Sequence, residues 1–178
     1  MENIEKTGKS HATGKSSVTE RSRTIHWEDP AAAAVKAKQM AGLDYLQAIG
    51  RGEIAYPPLL KSLEFKPETL EAGKALFSFQ PQEWHYNSIG SVHGGVISAI
   101  LDTAMGCALH TLLPEGVGYT TLELKVNFLK TVTIASGRLT ALGKIIHQGG
   151  RTALTEAQLT DEKGVLYAHA LSTCLIIK

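Results

Sequence analysis

Residues 91–114 read SVHGGVISAILDTAMGCALHTLLP, an apolar, small-residue stretch whose only carboxylate is Asp102. Wound at 3.6 residues per turn, it carries apolar or small side chains around most of its circumference, and Pro114 stops it. A helix of this kind is surrounded by protein rather than laid on a surface. The spacing therefore predicts a central helix of about 20 residues, with His93 near its start and His110 near its end.

The flanking segments supply what would surround it. TTLELKVNFLK (residues 120–130) alternates, with Leu122, Leu124, Val126 and Phe128 opposed by Thr121, Glu123, Lys125 and Asn127, which predicts a strand with one buried and one polar face. GRLTALGKIIH, RTALTEAQLT and VLYAHALSTCLII follow, separated by the turns QGG and DEKG. In the last of these, Ala168, Ala170, Ser172 and Cys174 share a face, small enough to let the helix lie close. Upstream, LLKSLEFKPETLEAGKALFSFQP (residues 59–81) reads as two strands with a turn around Pro67 to Gly73, Ala75, Phe77 and Phe79 sharing a face. The loop PQEWHYNSIGSV leads into the helix. Two strands, a helix and four strands describe an α+β domain in which one antiparallel sheet wraps a central helix.

The 178 residues, 43% hydrophobic and 20% charged, suit a single domain with one core. A net charge of +1 offers no global field to attract nucleic acid or an anionic membrane, so neither partner is expected. Cys107 and Cys174 sit in apolar stretches, away from metal-ligand spacing, and read as small buried hydrophobes of a reducing, cytoplasmic compartment. Residues 1–27 mix Lys, Arg and Glu with Ser, Thr and Gly and contain no apolar signal core; they read as a flexible polar tail. Glu2, Glu5 and Glu20 argue against a transit peptide. Residues 28–56 form a helical extension. Asp29 is placed to cap it, Pro30 to start it, and Gly50 and Gly52 to close it, after which IAYPPLL runs extended into a main domain over 57–178.

The chemistry concentrates at the central helix. The first N–H groups of a helix lack intrahelical partners and attract negative charge, and Gly94 and Gly95 there have no Cβ to hold a ligand off. An oxygen gaining charge under attack, as in an ester or thioester, would be stabilised at such a point. The same glycines equally serve a tight turn. A mid-helix Asp is either paired, solvated in a cleft or protonated; it can act as base or nucleophile, or bond a nearby hydroxyl such as Thr103 or Ser98. Eight residues separate Gly94 from Asp102, about 12 Å along the axis. Within one helix the two cannot serve one reacting carbon, so they are either unrelated or shared between subunits.

The run HYNSIGSVHGGVISAILDTAMGCA with GYTTLELKVNFLK and the strands that follow, roughly residues 57–178, resembles the hotdog-fold acyl-CoA thioesterases of the PaaI (phenylacetate-type) family. The resemblance implies a homo-oligomer, a dimer or a dimer of dimers (homotetramer). Sheets join edge to edge, the active sites lie between subunits, and neither a metal nor a redox cofactor is required. It implies that the Gly94 backbone N–H polarises the thioester carbonyl, that Gly95 shapes the turn, and that Asn87 positions the carbonyl or water. Asp102 of the other subunit would then activate water or attack the thioester itself. Thr121, or the adjacent Thr120, matches a water-orienting hydroxyl. Some related enzymes place a hydroxyl one turn after the carboxylate, where this chain has Gly106. His93 is a rival base, but the motif gives it a structural role at the helix entrance.

For the CoA phosphates, the turn KIIHQGGR offers Lys144, His147 and Arg151 beside Gly149 and Gly150, a local anion site or simply a solvated hairpin turn. Trp84, His85 and Tyr86 are candidates to line an acyl pocket for an aryl or medium-chain group, or only to pack. Two other readings compete. A hotdog dehydratase needs a paired catalytic histidine and loop signatures that this chain lacks. A non-catalytic acyl-CoA sensor of this fold carries a helix-turn-helix, whereas residues 1–55 offer one Ala-rich helix without a basic face.

Overall fold

The computed structural model describes residues 20–178. In chain order the elements are α1 (Pro30–Ala37), α2 (Gly42–Gly50), α3 (Pro58–Ser62), β1 (Lys66–Glu71), β2 (Lys74–Phe79), α4 (Gly94–His110), β3 (Gly118–Phe128), β4 (Leu139–Gln148), β5 (Thr152–Asp161) and β6 (Leu166–Ile177). The strands form one six-stranded antiparallel sheet in the order β1-β2-β4-β5-β6-β3, packed against α4. This is the α+β hotdog arrangement expected, with helices added at the N-terminal side.

Small residues bring the helix onto the sheet. Ala104 and Ala108 of α4, Ala141, Ala157, Ala168, Ala170, Ser172 and Cys174 of the strands are all fully buried. At Gly143 the approach is tightest: a Cβ there would lie 2.2 Å from the Ala104 carbonyl oxygen. Ala75, Phe77 and Phe79 complete the core from β2. Both cysteines are buried free thiols. Among the described residues no helix is long and apolar enough to cross a membrane.

Four expectations need correction. The single extension helix is two: the chain leaves α1 after Ala37 and restarts at Gly42, whose N–H donates to the Leu113 carbonyl at 2.9 Å. A Cβ at residue 42 would sit 1.8 Å from the His110 carbonyl oxygen, so docking on the end of α4 has overridden the local helix propensity of residues 38–41. Second, IAYPPLL is not wholly extended, because Pro58 starts a short helix at a position where its missing N–H costs nothing. Third, Pro67 lies within β1, at an irregularity between Pro67 and Thr69 on the sheet edge, and the turn is confined to Ala72 and Gly73, the latter at φ 76°. Fourth, the polar tail is held down before residue 27. Arg23 donates to the Ser62 carbonyl at 2.8 Å, pairs with Glu64 at 3.3 Å and stacks over Trp84, while Arg21 pairs with Glu83. Residues 1–19 of that tail lie outside the described residues.

Candidate active site

Two features of α4 that the sequence singled out lie along the same flank, beside β3. At its start, His93 is the N-cap and its Nδ1 accepts the Gly95 N–H at 2.8 Å. The imidazole thus consumes the second glycine's donor, while the Gly94 N–H has no protein partner among the described residues. Gly94 lines a cleft of about 270 Å³ together with Ser91, Phe128, Lys130 and Thr131. A Cβ at residue 94 would meet the tip of the Phe128 ring at 3.2 Å, a tight approach of β3 to the helix start.

Farther along, the Thr121 hydroxyl donates to Asp102 Oδ1 at 2.9 Å. Thr103 does not compete, because its hydroxyl turns back to the Ala99 carbonyl at 2.7 Å. The strict alternation of residues 120–128 put Thr121 on the polar face, and the structure corrects this. Pairing of β3 with β6 shifts register between Thr121 and Glu123, so Leu122 is an extra residue and the faces exchange. Tyr119 and Thr121 point at the helix before the bulge, Leu124 and Val126 after it, and Leu122 is left 57% exposed. Phe128 is also 53% exposed despite its contact with Gly94.

At Gly106, one turn beyond Asp102, the Tyr119 ring fills the space a side chain would take; a Cβ there would lie 2.6 Å from Tyr119 Oη. Burial first, then the neighbouring Cys107 and Asp102, raises this phenol above its usual range. The Cys107 thiol is likewise pushed up to about 12 by burial, with a further contribution from Asp102.

Asn87 is partly committed. Its Oδ1 accepts the Ile89 and Ser91 N–H groups at 3.0 and 3.2 Å, and its Nδ2 donates to Ser91 Oγ at 3.0 Å, which leaves one amide hydrogen for a ligand. The three loop aromatics are occupied in packing. Trp84 lies under Arg23, and Tyr86 Oη accepts the Ile134 N–H at 2.8 Å. His85 is buried against Phe79 with Nδ1 accepting the Gln82 N–H at 3.1 Å. Burial lowers the His85 pKa, and its Nε2 has no hydrogen-bond partner.

Lys144, His147 and Arg151 are all exposed around the β4–β5 hairpin. Gly143 faces the helix, so Lys144 points to the outer face of the sheet; a register shift between Ile145 and His147 puts His147 on that face as well, and Arg151 follows in the β4–β5 turn. Sequence reasoning missed the bulge at Leu122, the lodging of Tyr119 over Gly106 and the part of Phe128 and Lys130 in the helix-start cleft. The one available signal was glycine at residues 94 and 106, each a sign of close approach.

A family model described as "Thioesterase superfamily" matches residues 89–168. A protein of Saccharolobus solfataricus carrying an esterase name, SSO2140, is 30% identical over 120 residues, covering 67% of this chain and 84% of that protein. Among solved structures, a mutant of the Staphylococcus aureus thioesterase SAV0944 is 25% identical with a TM-score of 0.63, over 67% of this chain and 98% of that one. The Escherichia coli PaaI protein from the phenylacetic acid degradation operon matches at a TM-score of 0.67 and 20% identity, over 78% of this chain and 96% of that one, a likeness of fold. The family match begins beyond α1, α2 and α3.

Proposed function

Because the chain belongs to the thioesterase superfamily, we propose that it hydrolyses acyl-CoA thioesters to the free acid and CoA, on aryl or medium-chain acyl groups, in sites shared by two subunits. The observation that carries the reading is the layout along α4. A free N–H at Gly94 and a Thr121-oriented carboxylate at Asp102 stand about 12 Å apart beside one strand. That strand, β3, is one of the two edges of the sheet and runs antiparallel to α4, with Phe128 against Gly94 and Thr121 against Asp102. A second copy pairing β3 with β3 about a two-fold axis near Leu124 brings the helix start of one subunit toward the Asp102 of the other. In that register Glu123 of each strand opposes Lys125 of its partner, a favourable cross-strand pair.

The thioester carbonyl accepts the Gly94 N–H of one subunit, with the remaining amide hydrogen of Asn87 available to hold the carbonyl or the water. Asp102 of the other subunit, held by Thr121, takes a proton from water through Oδ2, which has no protein partner among the described residues. The water oxygen bonds to the carbonyl carbon. The resulting oxyanion stays on the Gly94 N–H, collapse breaks the C–S bond, and the departing thiolate recovers the proton from Asp102. Direct attack by Asp102 is the second route and passes through a mixed anhydride that water then opens. After a single turnover in ¹⁸O water, hydrolysis at the aspartyl carbonyl of that anhydride leaves label in the Asp102 carboxyl group, whereas the water route leaves none. Free buried Cys107 and Cys174 suit a reducing, cytoplasmic setting.

The test is thiol release from benzoyl-, phenylacetyl- and medium-chain acyl-CoA by the wild type and by Asp102→Asn. Turnover by the wild type and a loss of about 100-fold or more in the variant are expected. Acyl-CoA binding without turnover by the wild type would make the protein a sensor, and full activity in Asp102→Asn would refute the mechanism.

A further inference from the structure

A second, partly open space is lined by Tyr119, two residues before Thr121. It measures about 180 Å³ and sits between the N-terminal extension and the central helix, walled by Tyr45 and Leu46 of α2, Phe77 of β2, Cys107 and His110 of α4, and Tyr119. Most of this wall is apolar. Of its polar groups, the Tyr56 hydroxyl donates to the Phe65 carbonyl, while Tyr45 Oη, the His110 imidazole and Tyr119 Oη make no hydrogen bond among the described residues, and burial holds the His110 pKa down. An apolar pocket with a few unengaged polar groups is the usual form of a small-molecule site.

Its position relates it to the catalytic carboxylate. Gly106, over which Tyr119 lies, is four residues from Asp102, about 6 Å along the helix. Tyr119 is two residues from Thr121 on the same strand face, about 7 Å away. Asp102 acts electrostatically on both Cys107 and Tyr119, and both line the cavity. An acyl group whose carbonyl is held beside Asp102 would thus need to extend by about one helical turn to enter.

Resting on the thioesterase reading above, we infer that this cavity receives the far end of the acyl group, and that the extension, through Tyr45 and Leu46, sets the size limit of the substrate. A cavity of about 150 Å³ holds a benzene ring. The space here therefore takes one aryl ring or on the order of six carbons and stops a long fatty-acyl chain against α2. Tyr45 and Leu46, outside the family match, thereby set specificity for a reaction whose Gly94, Asp102 and Thr121 lie inside it.

Thiol release from acetyl-, hexanoyl-, phenylacetyl- and palmitoyl-CoA tests the inference in the full chain. The wild type should show a kcat/KM for phenylacetyl- or hexanoyl-CoA at least tenfold above that for palmitoyl-CoA. Cys107→Leu, which fills the cavity, should lower the phenylacetyl-to-acetyl ratio at least tenfold, and Tyr45→Ala, which opens its wall, should raise the palmitoyl-to-hexanoyl ratio. The same acyl preferences in all three proteins, or equal turnover of palmitoyl-CoA by the wild type, would overturn it. A thermal-shift titration with benzene separates the cavity from the chemistry. A Tm increase in the wild type that is lost in Cys107→Leu is expected. No increase in an enzyme that turns over thioesters refutes the cavity alone. An increase without turnover of any thioester refutes the thioesterase reading and leaves the cavity as an aryl site.

Discussion

The Thr121 hydroxyl lies 2.9 Å from Asp102 Oδ1 because Leu122, the next residue, is bulged out of the β3–β6 ladder. One extra residue reverses which side chains face the helix, and so a threonine on the nominally polar face becomes the partner of a carboxylate in the central helix. A hydrogen bond to a charged group contributes about 1.5–3 kcal/mol, which sets the scale of the first prediction. Thr121→Ala should lower kcat roughly 10- to 100-fold, whereas Thr121→Ser should keep most of the activity. Steady-state kinetics on one acyl-CoA decides it: equal losses in both variants would mean that packing, and not the hydroxyl, matters.

Shared sites can be detected by mixing two inactive proteins. In a heterodimer of Asn87→Ala and Asp102→Asn chains, one of the two sites combines both lesions and the other combines two intact residues. Refolding or exchanging the subunits together should restore about half of the activity per heterodimer. Sites contained within one chain would give no recovery.

The closest approach of helix to sheet should be intolerant of a single methyl group. Gly143→Ala places a Cβ 2.2 Å from the Ala104 carbonyl oxygen, a backbone atom that cannot swing aside. A cost of about 3 kcal/mol or more is expected, at the upper end of overpacking effects. Urea unfolding that shows a change below about 1 kcal/mol would refute so rigid a contact.

His85 makes stability depend on pH. Burial lowers its folded pKa below that of a free imidazole, and its Nδ1 already accepts the Gln82 N–H, so protonation there would sacrifice that bond. The unfolded chain therefore binds this proton more readily than the folded one. Its contribution is complete above about pH 6.5 and is lost as the pH falls below that value. His110, also lowered by burial, acts in the same direction. The Tm should fall between pH 7 and 5, and His85→Gln should flatten that slope; an unchanged slope would assign the effect to His110 or elsewhere.

Much of this architecture is legible in one dimension. The all-round apolar character of residues 94–110 requires a buried helix, and the small residues Ala168, Ala170, Ser172 and Cys174 mark one of the strands it packs against, while its closest approach is at Gly143 on β4. Side-chain periodicity and helix rise are properties of neighbouring residues along the backbone, so the sequence by itself determined that Gly94 and Asp102 share a helix yet stand too far apart to act on one carbon. The tertiary structure decided the rest. Which face of β3 Thr121 takes depends on its register against β6, some fifty residues later, and Gly42 interrupts the extension because the end of α4 occupies the space beside it. Tyr119 lodges over Gly106, and Lys144 turns away from the helix, for the same kind of reason. These outcomes depend on contacts between segments distant in the chain, where packing against a partner outweighs the preference of any local stretch.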